Sequence, residues 1–194
     1  MKIGILGGTF DPVHLGHLAL ARSAQSQFSL DQVLFIPVYA PPHKRDVPPR
    51  ASAKDRYEMV LLAINDEPFF GVSDLEIKRK GISYTSDTIA ELEKQYPQAV
   101  FYLILGEDAF EGIDTWHKAQ EIKKKVRFLV AQRNPNDEKE PAWGQAEQIR
   151  MPLCPVSASG IRKALSGGCE PVGQVPQAVL NYIRVHKLYE GKGL

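Results

Sequence analysis

Along the chain, short apolar runs stopped by glycine or proline alternate with stretches whose spaced residues recur every three or four positions. Lys2 to Leu6 is such a run, ended by Gly7-Gly8, and Leu15 to Phe28 follows with Leu15, Leu18, Ala19 and Arg22 at helical spacing. The reading is strand, glycine turn, helix. The alternation continues with a strand over Val33 to Pro37, a helix over Ala53 to Ile64, a strand over Phe69 to Val72 and a helix over Thr85 to Tyr96. Val100 to Leu105 then reads as a strand, Trp116 to Lys125 as a helix and Val126 to Ala131 as a strand. A closing helix is expected within Val175 to Leu188, with Val175, Val179, Tyr182, Ile183 and His186 on one face. Strands separated by helices in this way predict an α/β fold, a parallel sheet covered by helices on both faces.

Such sheets bind ligands beyond the carboxyl ends of their strands, which points to Gly7 to His17, Val38 to Lys44, Gly106 to Asp108 and Arg133. Tyr39 to Arg50, with Pro41, Pro42, Pro48, Pro49 and its basic side chains, reads as a stiff exposed loop. Arg133 to Gln148 is polar and poor in helix signals, and no internal repeat or low-complexity tract interrupts the pattern.

Composition narrows the function classes. A chain of 194 residues that is 43% hydrophobic can bury one sizeable core, which excludes disorder as its main state. Twenty-four Lys and Arg against 23 Asp and Glu leave a net charge of +1, so no global field recruits nucleic acid or a membrane and phosphate recognition has to be local. Cys154 and Cys169 show neither CxxC spacing nor accompanying histidines, which argues against zinc and disulfides and for a reduced, cytoplasmic setting. The apolar runs fall far short of the roughly 18 residues of a membrane span, and neither a signal peptide nor an anchor is expected.

Gly7-Gly8-Thr9-Phe10-Asp11-Pro12-Val13-His14-Leu15-Gly16-His17 carries the most chemistry. Two glycines allow close backbone approach, and the next helix offers free amides and a positive dipole end, a combination suited to phosphate. The Walker lysine and the GxGxxG spacing are both missing, so generic kinase and dehydrogenase readings lose support. His14 and His17 would stand one turn apart, with Gly16 leaving room for a bulky ligand, and could together grip a polyphosphate. The plainer reading makes Asp11 the helix cap, Pro12 a first-turn residue and both histidines ordinary polar side chains. Metal ligation by the pair lacks a third ligand nearby in sequence.

This stretch resembles the signature of the nucleotidyltransferase superfamily, a glycine-rich turn followed by Thr or Ser, Phe and HxGH. With Pro41-Pro42-His43-Lys44 it is most similar to the bacterial nicotinate-nucleotide adenylyltransferases, and the similarity extends from Lys2 to about Tyr189. The resemblance implies a Rossmann-like doubly wound sheet of nucleotidyltransferase type with C-terminal helices, forming a single domain over residues 1–194. Val156-Ser157-Ala158-Ser159-Gly160-Ile161-Arg162 is similar to the family's second motif, ISSTxIR, although Ala158 removes one hydroxyl. Val175-Pro176 to Val179, Tyr182-Ile183 and His186 to Tyr189 match its closing pattern.

What the resemblance implies is adenylyl transfer from ATP, with Mg2+, to nicotinate mononucleotide. It makes His14, His17 and Arg162 catalytic and places Gly7, Gly8, Thr9, Phe10, Gly106, Asp108, Arg133, Ser157, Ser159 and Ile161 at the nucleotide. Lys44, Thr85 and Trp116 would hold the acceptor, Trp116 by stacking on the pyridine ring and Thr85 beside its carboxylate, and no protein metal site is implied. Without the resemblance, Ser157, Asp108 and Thr85 read equally as helix caps, Trp116 as core, and Lys44, Arg133 and Arg162 as surface cations. Val38 and Ala119 depart from the family's polar and aromatic residues at the acceptor. An adenylyltransferase acting on phosphopantetheine and a non-catalytic ATP-binding module are the rivals, and association of copies of the chain stays open.

Overall fold

The computed structural model describes residues 1–42, 48–132, 146–152 and 154–191. Six parallel strands form one sheet: β1 (Lys2–Gly8), β2 (Gln32–Pro37), β3 (Phe70–Val72), β4 (Val100–Gly106), β5 (Val126–Ala131) and β6 (Glu147–Ile149), in the spatial order β3-β2-β1-β4-β5-β6. Helices connect them: α1 (Leu15–Phe28), α2 (Ala53–Ala63), α3 (Leu75–Arg79), α4 (Thr85–Gln95), α5 (Glu107–Glu111), α6 (Ala119–Lys125), α7 (Ala158–Ser166) and α8 (Gln177–Val185). This is the doubly wound, Rossmann-like arrangement that the alternation of elements predicts.

Strand residues alternate between two cores because successive side chains leave opposite faces of a sheet. Leu6, Val33, Phe35, Tyr102, Ile104 and Leu129 meet Leu18 of α1, Met59 of α2, Ile161 of α7 and Ile183 of α8. Ile3, Ile5, Leu34, Ile36, Leu103 and Val130 meet Leu75 of α3, Ile89 and Leu92 of α4 and Ile122 of α6. Strand order reverses between β1 and β4, which opens a crevice where the two neighbouring strands send their chains to opposite faces.

The short α3 and β6 carry too few residues to show a periodicity, and the sequence pattern assigns no element to either. Two local expectations are corrected. Trp116 is not in a helix: a 3-10 turn (Ile113–Thr115) ends there, Trp116 is extended, and Lys118 at φ 56 sits in the left-handed region before α6 starts. On α8, His186 is exposed at the C-cap, while Leu180 joins Val179 and Ile183 in the core.

Candidate active site

The turn from β1 into α1 is built by packing around its glycines. A side chain at Gly7 would meet nothing within 4 Å, and the same is true of Gly106 at the end of β4, so the crevice is open at both strand ends. Gly8 differs: a Cβ there would come within 2.9 Å of the Phe10 ring. Phe10 has φ 49 and is buried against Phe35 and edge-on to His17 at 4.9 Å between centroids. The left-handed backbone thus folds the Phe10 ring beneath the turn, where it forms a wall for the histidines.

His14 occupies the N-cap of α1, and His17 lies in its first turn. Their rings stack with centroids 3.7 Å apart and planes at 22°. The space kept by Gly16 is taken by the His14 ring, since a Cβ at Gly16 would approach His14 Nδ1 to 3.1 Å; that glycine makes room for the imidazole and not for a bulky ligand. The His14 backbone N–H donates to His17 Nδ1 at 3.2 Å. A neutral ring accepting at Nδ1 carries its proton on Nε2, so His17 has an N–H donor on its far edge. His14 Nδ1 is buried and makes no hydrogen bond.

Burial pushes the His14 imidazole down to about 4, and burial followed by repulsion from His14 pushes His17 well below its ordinary 6.5. Both rings are therefore neutral at pH 7. Between pH 6.5 and 4 the unfolded chain binds protons at these positions that the folded chain refuses, so their contribution makes stability fall as the pH falls through that window. His14→Asn should flatten the decline of Tm with acidity, and an unchanged slope in a scan of Tm against pH would contradict the burial of this ring.

Asp11 organises the loop below the histidines and is not a helix cap. Its carboxylate is 4% exposed and accepts from the backbone N–H of Arg50 (2.9 Å) and Ala51 (3.0 Å) and from the Tyr189 hydroxyl (2.8 Å). Arg162 Nη1 donates to the Asp11 carbonyl at 2.6 Å and lies 3.9 Å from its carboxylate. The sequence-distant α7 is thereby joined to the loop that carries the histidines. Arg56 completes the frame: 1% exposed, it donates to the carbonyls of Thr9 (2.7 Å), Tyr39 (3.2 Å) and Ala51 (3.4 Å). Sequence reading missed Arg56, although its i, i+3, i+4 spacing with Met59 and Val60 places it on the buried stripe of α2.

Gly7, Gly8, Thr9, Thr85 and Trp116 line a cavity of about 170 Å³ together with Val38, Glu76, Ser83 and Thr88, over a floor that includes Ile5, Ile36 and Leu103. Thr85 is the first residue of α4 and not its cap. Gly106 is the N-cap of α5, and Asp108 lies in that helix's first turn. Ser157 caps α7, its hydroxyl accepting from Gly160 N–H at 3.2 Å and lying 3.3 Å from the exposed Ser159 hydroxyl. The Ile161 side chain is fully buried and its amide donates to Ser157 O. Lys44 and Arg133 lie outside the described residues.

Comparison with known proteins bears on this geometry. Residues 5–164 match the family model described as Cytidylyltransferase-like. A protein of Exiguobacterium sibiricum named "Probable nicotinate-nucleotide adenylyltransferase" is 38% identical over 189 residues, covering 97% of this chain and 99% of its own. One of the same name from Solibacter usitatus is 44% identical over 190 residues, covering 97% and 100%. In fold, the chain superposes on the Plasmodium falciparum nicotinic acid mononucleotide adenylyltransferase complexed with NaAD at a TM-score of 0.80, with 20% identity and 97% of each chain covered. Near-complete matches at these identities, on a chain whose HxGH histidines stack at the mouth of a doubly wound sheet, place it in the cytidylyltransferase-like family, among the nicotinate-nucleotide adenylyltransferases.

Proposed function

We propose that the protein transfers the adenylyl group of ATP to the phosphate of nicotinate mononucleotide, giving nicotinate adenine dinucleotide and pyrophosphate. Family membership supports the reaction, and the stacked His14–His17 pair at the head of α1 is the observation that carries the mechanism. The acceptor brings its own phosphate nucleophile. The protein's work is then alignment of that phosphate with the α-phosphorus and stabilisation of charge on the equatorial and departing oxygens.

His17 Nε2–H serves as a neutral donor to a phosphate oxygen, and its Nδ1 is held in the matching tautomer by the His14 amide. Arg162, fixed by the Asp11 carbonyl, adds the full positive charge that the neutral imidazoles lack. The α7 N-terminus, with the hydroxyls of Ser157 and Ser159, meets a second part of the polyphosphate. The open glycine positions Gly7 and Gly106 let the nucleotide approach both strand ends, with Asp108 beside it; Lys44 and Arg133 are assigned as further cations on the family resemblance alone. Trp116 stacks on the pyridine ring while Thr85 borders it.

ATP enters as its magnesium complex, in which the ion neutralises phosphate charge. Among the described residues no helix is long and apolar enough to cross a membrane.

The deciding experiment is pyrophosphate release from magnesium ATP with and without nicotinate mononucleotide. Release that depends on both substrates is expected; ATP binding with no release would leave a nucleotide-binding module and refute the reading. Trp116→Ala should raise the KM for the mononucleotide roughly fivefold, the loss of a stacking contact of about 1 kcal/mol, with the KM for ATP little changed. An equal rise for ATP would contradict the assignment.

A further inference from the structure

The C-terminal segment, which no step of the mechanism above uses, grips the histidine loop on both sides. On one side the backbone N–H of Leu15, the first residue of α1, donates to the Gln174 carbonyl at 2.9 Å, so a helix-start donor is met from outside the helix. On the other side the Tyr189 hydroxyl donates to Asp11 Oδ1 at 2.8 Å. Asp11 and Leu15 bracket His14, and the two contacts therefore hold the chain before and after that ring. Between Gln174 and Tyr189 runs α8, anchored through Val179, Leu180 and Ile183 in the core that also contains Phe10 and Val13.

The tyrosine is brought there against its backbone preference. Lys187 and Tyr189 have φ 50 and 67, in the left-handed region that bulky side chains adopt reluctantly, and the turn they make after α8 carries the Tyr189 ring inward to 6% exposure. Burial, then the charge of Asp11, raises the hydroxyl above its ordinary value, so it is a donor throughout the neutral range. The carboxylate it meets is shared. Asp11 Oδ1 also takes the Ala51 N–H at 3.0 Å, Oδ2 takes the Arg50 N–H at 2.9 Å, and Arg162 Nη1 stands 3.9 Å from Oδ2 while donating to the Asp11 carbonyl at 2.6 Å. At 3.9 Å the guanidinium is beyond hydrogen-bond range of the carboxylate, although an arginine and a carboxylate form one of the strongest pairs in proteins.

Resting on the proposed reaction, we propose that Tyr189 is a positioning residue for adenylyl transfer: by donating to the Asp11 carboxylate it keeps Arg162 on the Asp11 carbonyl, with the guanidinium charge directed to the polyphosphate. Removing the hydroxyl leaves a buried carboxylate oxygen short of a donor, and a buried charge recruits whatever cation can reach it. Arg56, the other guanidinium beside Asp11, spends its donors on the carbonyls of Thr9, Tyr39 and Ala51. Arg162, with 27% of its side chain exposed, has the room to move, and closing onto the carboxylate turns its charge away from the phosphates. The tail thus acts on the reaction through Arg162 and touches no substrate itself.

The test is a double-mutant cycle on the single-turnover rate of pyrophosphate release, with protein in excess over magnesium ATP and nicotinate mononucleotide saturating, in the wild type, Tyr189→Phe, Arg162→Ala and the double variant. Tyr189→Phe keeps the ring and its packing; assayed below its Tm, it is expected to lower the rate about tenfold, less than the roughly 10²-fold of losing a catalytic donor outright. In the Arg162→Ala background there is no guanidinium left to hold, and the same substitution should change the rate by less than about twofold. An equal loss in both backgrounds would make Tyr189 a packing residue of the tail and overturn the proposal, because a general loosening of the fold does not depend on which side chain stands at 162. A wild-type rate in Tyr189→Phe overturns it as well. Absence of pyrophosphate from the wild-type protein would instead refute the proposed reaction, and with it this role, so the two failures are distinguishable.

Discussion

His17→Ala lowers kcat by at least about 10²-fold with the fold intact, the size of effect seen when one preorganised donor to developing charge is removed. The expectation follows from three features of the ring. It is held by the His14 N–H at Nδ1, it is stacked on His14, and it is walled by Phe10. A group so fixed needs little reorganisation as charge moves onto the departing pyrophosphate. The loss should lie in kcat more than in KM, because an interaction that strengthens as charge develops contributes most in the transition state. Single-turnover rates in a variant with wild-type near-UV circular dichroism would check it, and a rate within about threefold of wild type would remove His17 from the reaction.

Asp11→Ala has the second large expected effect, and it is on stability and activity together. The substitution strips acceptors from two backbone amides and the Tyr189 hydroxyl, all anchored on a carboxylate that is 4% exposed. It also removes the negative charge that most favours the buried Arg56 guanidinium. Breaking a buried charged network by deleting one member typically costs about 3–5 kcal/mol, whereas Tyr189→Phe, which deletes a single hydrogen bond, should cost about 1 kcal/mol. Urea denaturation of both variants, with unchanged m-values, would measure the difference. Because Arg162 is aimed by the same loop through the Asp11 carbonyl, kcat should fall in Asp11→Ala even under conditions where the protein remains folded. Near-equal stabilities of the two variants would contradict the central role of Asp11.

The framework of the fold could be read from the chain because its signals are local. Five of the six strands have apolar runs bounded by turn residues, as Val100–Gly106 shows, and most of the helices between them are long enough for a 3.6-residue period to register. The exceptions are informative. α3 and β6 are held by pairing and packing, and a five-residue helix or a three-residue strand has no pattern of its own. Trp116 was read as helical because the residues after it are, whereas a left-handed Lys118 resets the chain and leaves the indole over the cavity.

The site divides in the same way. His14, His17 and Gly7 could be picked out because their residue types stand at fixed spacing in one short segment, and the α7 motif because it resembles the family's second motif. Asp11, Arg56, Glu76 and Tyr189 could not, since what defines each is burial and a partner far along the chain, 178 residues away for Tyr189 and Asp11. Even within the HxGH segment, sequence gave Gly16 a role in admitting ligand, and the fold shows it making room for a neighbouring ring.

By itself, then, the chain determined the order of strands and helices, the parallel doubly wound sheet and the glycine turn that carries both histidines, because hydrophobic periodicity and glycine turns act over a few residues. Only the tertiary structure decided that the imidazoles stack and stay neutral, that Arg162 is aimed by the Asp11 carbonyl, and that Glu76 is buried beside the cavity. Those properties come from desolvation and from contacts between distant segments, and neither exists until the sheet brings the ends of β1 and β4 together.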